Sequence, residues 1–194
     1  RVGWSRLIAT IFRGTPYWAH GRIFPCGLYQ ENFRTIRRVQ NAQYLIGCSC
    51  SYRREVFDEF SFHEGFRGYC QLEDTEFSYR VSQKYRLVVT PKARLAHMRT
   101  LNSRVDEYAL CQQEITNLWY HFHRNMPQRP LNKLALWWFY AATLLMDLAS
   151  FVVRGRQQAR MRSRLRGHWR GLCDCLREGA PPPAGSEGSG NEAA

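Results

Sequence analysis

A chain of 194 residues is long enough for one domain of ordinary size with its own core. It carries 28 Lys plus Arg against 16 Asp plus Glu, a net +12, which calls for an anionic partner: a nucleotide diphosphate, acidic lipid headgroups or nucleic acid. The seven cysteines, with Cys48/Cys50 and Cys173/Cys175 in C-x-C pairs, lack zinc-site spacing, so reduced and mostly buried thiols in a cytosolic compartment are expected.

Residues 1–42 are aromatic and basic without a strong period. Leu7, Ile8, Ile11 and Phe12 fit one helical face, stopped by Gly14-Thr15-Pro16. The remainder, through Pro25 and Gly27, reads as loop. No secretory signal opens the chain, and a start at Arg1 in mid-pattern reads as a piece of something longer. A strand is expected from Gln43 to Tyr52 and a short helix from Arg53 to Phe60. Residues 61–72 form a loop with Gly and aromatic side chains, common material for binding.

Next comes Glu73-Asp74-Thr75-Glu76-Phe77-Ser78-Tyr79-Arg80, with three carboxylates in four residues. Asp74 suits a helix N-cap before Thr75, and Phe77, Val81 and Tyr85 at spacing four give that helix an apolar stripe. The macrodipole favours a carboxylate there, so Asp74 is a plain cap or a ready proton acceptor. Arg80 reads as a salt-bridge partner. A strand follows over Arg86 to Thr90. After Pro91, Ala93, Leu95 and His97 fall on one face of a second strand. Tyr108, Cys111, Ile115, Leu118, Trp119 and Phe122 then mark an amphipathic helix over 105–123, closed by Pro127 and Pro130.

Four of these pieces occur in a suggestive order. They are Gly47-Cys48-Ser49-Cys50-Ser51-Tyr52-Arg53-Arg54-Glu55-Val56-Phe57, then Phe66-Arg67-Gly68-Tyr69, then Glu73 to Arg80, then Thr90 to His97. Over roughly Gln43 to Asn125 the chain resembles the C-terminal half of the catalytic domain of a family 2 glycosyltransferase, of the inverting GT-A type. The resemblance implies an α/β chain, the C-terminal part of a GT-A (nucleotide-diphospho-sugar transferase) fold, followed by a hydrophobic helix. It also implies transfer of a sugar from a nucleotide-sugar donor to the hydroxyl of a glycan or lipid-linked acceptor, with inversion. Asp74 would be the general base and Glu73 would orient it or touch the acceptor. Arg53, Arg54, Gly68 and Tyr69 would bind substrate, and His97 would lie near a Mg2+ or Mn2+ ion and the diphosphate. Read from the residues alone, Arg53 and Arg54 pair equally with Glu55 and Asp58, and His97 is equally a core histidine. The Asp-x-Asp metal ligands of that family have no counterpart here, since Glu31 is the only acidic residue before position 47. The chain therefore reads as incomplete and inactive alone. The alternative is a non-catalytic, membrane-attached basic binding or scaffold protein.

Leu134 to Val153 is nearly all apolar and has the roughly 20-residue length of a bilayer span. Lys133 and Arg154 flank it, Trp137 and Trp138 suit an interfacial belt, and Asp147 is its one charge. Length and paired Trp favour a true span over an interfacial or a buried soluble helix. Residues 154–177 hold eight arginines against Asp174 alone, a net +7. Met161, Leu165, Trp169, Leu172 and Leu176 would make a helix there basic and amphipathic, fit for an anionic membrane surface. A solvated basic tail is the other reading, with Gly167 and Gly171 weakening any helix. Residues 178–194 have a disordered composition. The expected division is thus 1–126 catalytic part, 127–153 membrane helix, 154–177 basic segment and 178–194 tail. The protein is expected at a membrane with its catalytic face in the cytoplasm, and without a nucleic-acid partner.

Overall fold

The computed structural model describes residues 21–29, 36–66, 71–96, 106–153 and 158–179. The chain divides into two compact units, Arg1–Phe24 with Leu28–Asp106 and Pro25–Gly27 with Glu107–Ala194.

The described residues of the first unit form short pieces. Strand β1 (Gln40–Ala42) pairs antiparallel with β2 (Leu87–Val89), Asn41 facing Val88. Between them lie two 3-10 turns, Gly47–Ser49 and Arg54–Asp58, and helix α1 (Glu73–Ser82). Leu72 enters α1 in the left-handed region, φ 75°, with no side-chain cap. Glu73, Asp74 and Glu76 occupy the first turn and Arg80 the last, charges that suit the helix dipole at each end. The helix buries Phe77 and Val81 completely, and these join Val56 and Leu87 in a core flanked by Leu45, Tyr52, Phe60 and Tyr85. Aromatic contacts dominate it: Phe62 stacks on Phe77 with centroids 4.2 Å apart, and Tyr52 meets Phe77 edge-on at 5.1 Å. Buried Glu76 is paired with Arg80 Nε at 2.7 Å, and Arg80 also donates to the Ser61 carbonyl at 2.7 Å, tying residues 61–62 to the helix.

The described residues of the second unit include three helices: α2 (Glu107–Asn125), α3 (Pro130–Val153) and α4 (Gln158–Glu178). Cys111, Ile115, Leu118 and Phe122 recur at helical spacing and form the buried stripe of α2. Pro130 takes the first position of α3, where its missing N–H costs nothing. Met126 to Arg129 connect the helices, with Gln128 donating to the Phe122 and Met126 carbonyls. Helix α4 lies close along α2 because Gly167 and Gly171 face it. A Cβ at Gly167 would overlap the Tyr108 carbonyl oxygen and come within 2.9 Å of Cys111 Cβ; one at Gly171 would lie 2.7 Å from the Gln112 carbonyl. The two glycines, which weaken an isolated helix, here set the interhelix distance.

Helix α3 turns Leu136, Phe139, Tyr140 and Ala142 inward, and the Tyr140 hydroxyl donates to the Ile115 carbonyl at 3.2 Å. Leu131, Leu134, Trp137, Trp138, Leu145, Leu148 and Val152 remain exposed on it. Residues Pro130–Val152 are, by length and composition, long and apolar enough to cross a membrane.

The expectation of an α/β, GT-A-type fold is overturned. Among the described residues about 60% are helical and the sheet has two strands. The physical reason lies in particular segments. Residues 43–52, expected as a strand, make a 3-10 turn whose Gly47 N–H goes to a side chain instead of a ladder. Residues 93–96 carry no strand pairing, and His97 lies outside the described residues. From Glu107 onward the described chain is almost continuously helical.

Candidate functional site

Asp74 stands at the second position of α1, two residues past the helix entry, so it is not the cap. Its side chain reaches across to the preceding loop. Gly47 N–H donates to Oδ2 at 2.6 Å, and Thr75 donates to Oδ1 through N–H at 2.7 Å and through Oγ1 at 3.3 Å. Gly47 permits this approach, because a Cβ there would already sit 3.3 Å from Oδ2. One turn on, Ser78 Oγ donates to the Asp74 carbonyl at 2.5 Å and accepts the Leu45 N–H at 2.9 Å. Residues 45–47 and 74–78, separate in sequence, are thereby closed into one cluster. Asp74 and Glu73 are both half-buried. A carboxylate has about four lone-pair directions. Three donors meet Asp74, fewer than the roughly four a carboxylate can accept.

The neighbours are held neutral. Burial pushes the Cys50 thiol up, and the charge of Asp74 adds to this. Burial raises the Tyr52 phenol as well, reinforced by Cys50 and Asp74. Both therefore serve as protonated groups beside the carboxylate at neutral pH. Arg53 and Arg54 are exposed at the start of the second 3-10 turn, next to Tyr52 in sequence. Gly68, Tyr69 and His97 lie outside the described residues. The expected position of the Mg2+ or Mn2+ ion is near His97, which lies outside the described residues.

A second constellation, in the helical unit, draws its members from three different helices. Asp147 on α3 is buried, with Oδ1 3.2 Å from Arg164 Nε and Oδ2 2.5 Å from His168 Nδ1. Nε2 of His168 lies 3.3 Å from Glu114 on α2. Arg164 Nη1 also reaches Glu107 at 3.0 Å, and Arg160 binds Glu107 at 3.2 Å. Burial alone would lower the basicity of His168. The Asp147 carboxylate outweighs it, with Cys111 and Glu114 adding, and the imidazole is pushed up to about 11. The polar residues of a segment that reads equally as a basic amphipathic helix or a solvated tail are thus organised around the one acid of the apolar helix. Cys111 and Glu114 are three apart on α2, a one-face signal legible in sequence, but nothing pointed from them to His168.

No protein-family model, no curated protein and no solved structure matches the chain.

Proposed function

We propose that residues 45–80 form the acceptor side of an inverting sugar-transfer site, with Asp74 as the proton acceptor. The observation that supports this reading is the hydrogen bond joining Asp74 Oδ2 to Gly47 N–H, because it brings together two of the motifs on which the resemblance rests. Asp74 takes the proton of an acceptor hydroxyl as its oxygen bonds to the anomeric carbon. The bond from that carbon to the diphosphate breaks, and the electron pair leaves with the diphosphate. Exposed Arg53 and Arg54 offer positive charge to the departing group. Glu73 orients the acceptor.

The test is Asp74→Asn in the gene that encodes this chain, read as transfer of labelled sugar by membranes from those cells. Transfer falls by about 100-fold or more, the scale of losing a general base. The variant also loses stability, because both carboxylate oxygens accept backbone N–H groups and an amide turns an NH2 towards one of them; that cost is about 1–3 kcal/mol. Transfer normalised to folded protein therefore carries the assignment, and near-normal turnover rejects it. The same three hydrogen bonds favour a second reading, in which Asp74 is a loop clamp in a non-catalytic binding protein. In that case stability falls and no sugar transfer is found in the parent.

We further infer that the helical unit attaches the protein to a membrane by lying in its interface, with the Asp74 unit in the cytoplasm where nucleotide sugars are made. The exposed apolar side chains of α3 fit the acyl boundary. Its buried Asp147 is paired with Arg164 and His168 of α4, whose other arginines face water, an arrangement costly to carry through hydrocarbon. Alkaline carbonate extraction releases an interfacial protein; retention in the pellet supports a span.

A further inference from the structure

We propose that Cys111 Sγ, a Glu114 carboxylate oxygen and His168 Nε2 bind a zinc ion between α2 and α4. The three ligand atoms lie within 4.8 Å of one another. Nε2 and Glu114 Oε2 are 3.3 Å apart, the edge of a tetrahedron with metal bonds of about 2.0 Å. The pairs involving Cys111 Sγ are within 4.8 Å and close by small side-chain movements on binding, and Glu114, about one-third exposed, has room to adjust. Cys111 and His168 are nearly sealed from water and are held by the Gly167 crossing, so the donor set is largely formed before an ion arrives.

The second layer is also in place. Asp147 Oδ2 engages His168 Nδ1 at 2.5 Å, which fixes the ring and directs Nε2 at the ion, as a carboxylate behind a ligating histidine does. Sulfur and imidazole donors select zinc over Mg2+ or Mn2+. Charge closes as well. A thiolate and the Glu114 carboxylate neutralise a divalent ion, while Asp147 and Glu107 are matched by Arg164 and Arg160. Zinc takes the places of the thiol proton and the proton on Nε2, both released to solvent. Three protein ligands leave a fourth position for water on the exposed Glu114 side, and the ion bridges two helices from opposite ends of the unit.

The experiment uses the full chain in detergent, stripped with chelator and titrated with Co2+. Near-ultraviolet thiolate-to-cobalt absorption and tetrahedral visible bands appear at one equivalent, and Zn2+ displaces them. Cys111→Ser abolishes the thiolate absorption, whereas Cys173→Ser keeps it. Glu114→Gln, at a side chain exposed enough to leave the fold intact, weakens zinc binding by about tenfold or more. Absence of the thiolate band in the parent overturns the site, as does its persistence in Cys111→Ser. If Cys111→Ser does not fold, Glu114→Gln decides, and unchanged zinc affinity rejects the assignment. None of these readouts depends on sugar transfer.

Discussion

The two units are stabilised in opposite ways. Around α1 the described structure is short turns, a three-residue strand pair and a core of aromatic rings, with backbone N–H groups collected by Asp74 and Ser78. The helical unit satisfies its own backbone inside α2, α3 and α4, and spends its polar side chains on a buried charge network instead. Hydrophobic burial centres the first on one ring. In the second, what matters is how closely two helices approach. Substitutions at those two features separate the two modes.

The largest effect is expected at Phe77, which is fully buried and contacts Tyr52, Phe57 and Phe62. Phe77→Ala costs about 3–5 kcal/mol and unfolds the Asp74 cluster, since α1 has no side-chain cap to hold it otherwise. Limited proteolysis between residues 43 and 66, with intact helicity from 107 onward, is the signature. Cleavage spread evenly along the chain would show that the two units do not melt separately.

That contrast also explains what was legible in the sequence. Amphipathic period announced α2 and the stripe of Phe77 and Val81, because each depends on neighbours three or four residues away. Length and composition announced α3, although it starts at Pro130, four residues before the apolar run. The strand expected over 43–52 failed for a nonlocal reason: Gly47 gives its N–H to a carboxylate 27 positions later, and no local pattern encodes that choice. The buried cluster was hidden for the same reason, with Glu114 and His168 54 positions apart and on different helices. Gly167 and Gly171 even argued for a loose tail. Their value depends on a partner helix, which propensity does not represent.

Gly167→Ala turns that point into a change of sign. In a solvated helix the substitution stabilises by about 1 kcal/mol through propensity. Against α2 it drives a methyl into the Tyr108 carbonyl and Cys111, and costs about 1–3 kcal/mol. Urea unfolding followed by far-ultraviolet dichroism reads the direction, and a raised midpoint would place α4 in solvent.

The smallest effect belongs to the edge of the charge network, where pH separates packing from electrostatics. Burial tends to raise the Glu107 carboxyl, but hydrogen bonds from Arg164 and Arg160 win and hold it below its ordinary value of 4.5. A depressed carboxyl contributes stability that is present above its unfolded pKa and is lost as pH falls through the lower folded one. Glu107→Gln should therefore lower the urea midpoint of the helical unit at neutral pH, by less than about 1 kcal/mol as for other solvent-exposed pairs. The gap between parent and variant should narrow steadily below about pH 4.5 and close once the parent carboxyl is protonated. Gly167→Ala carries no such pH dependence, because its cost is steric. If the Glu107 gap stays constant into acid, the side chain contributes through packing of its methylenes and the arginine pairs are ornamental to stability. If it closes, the outer pairs draw α4 onto α2 electrostatically, while Gly167 sets how near it can come.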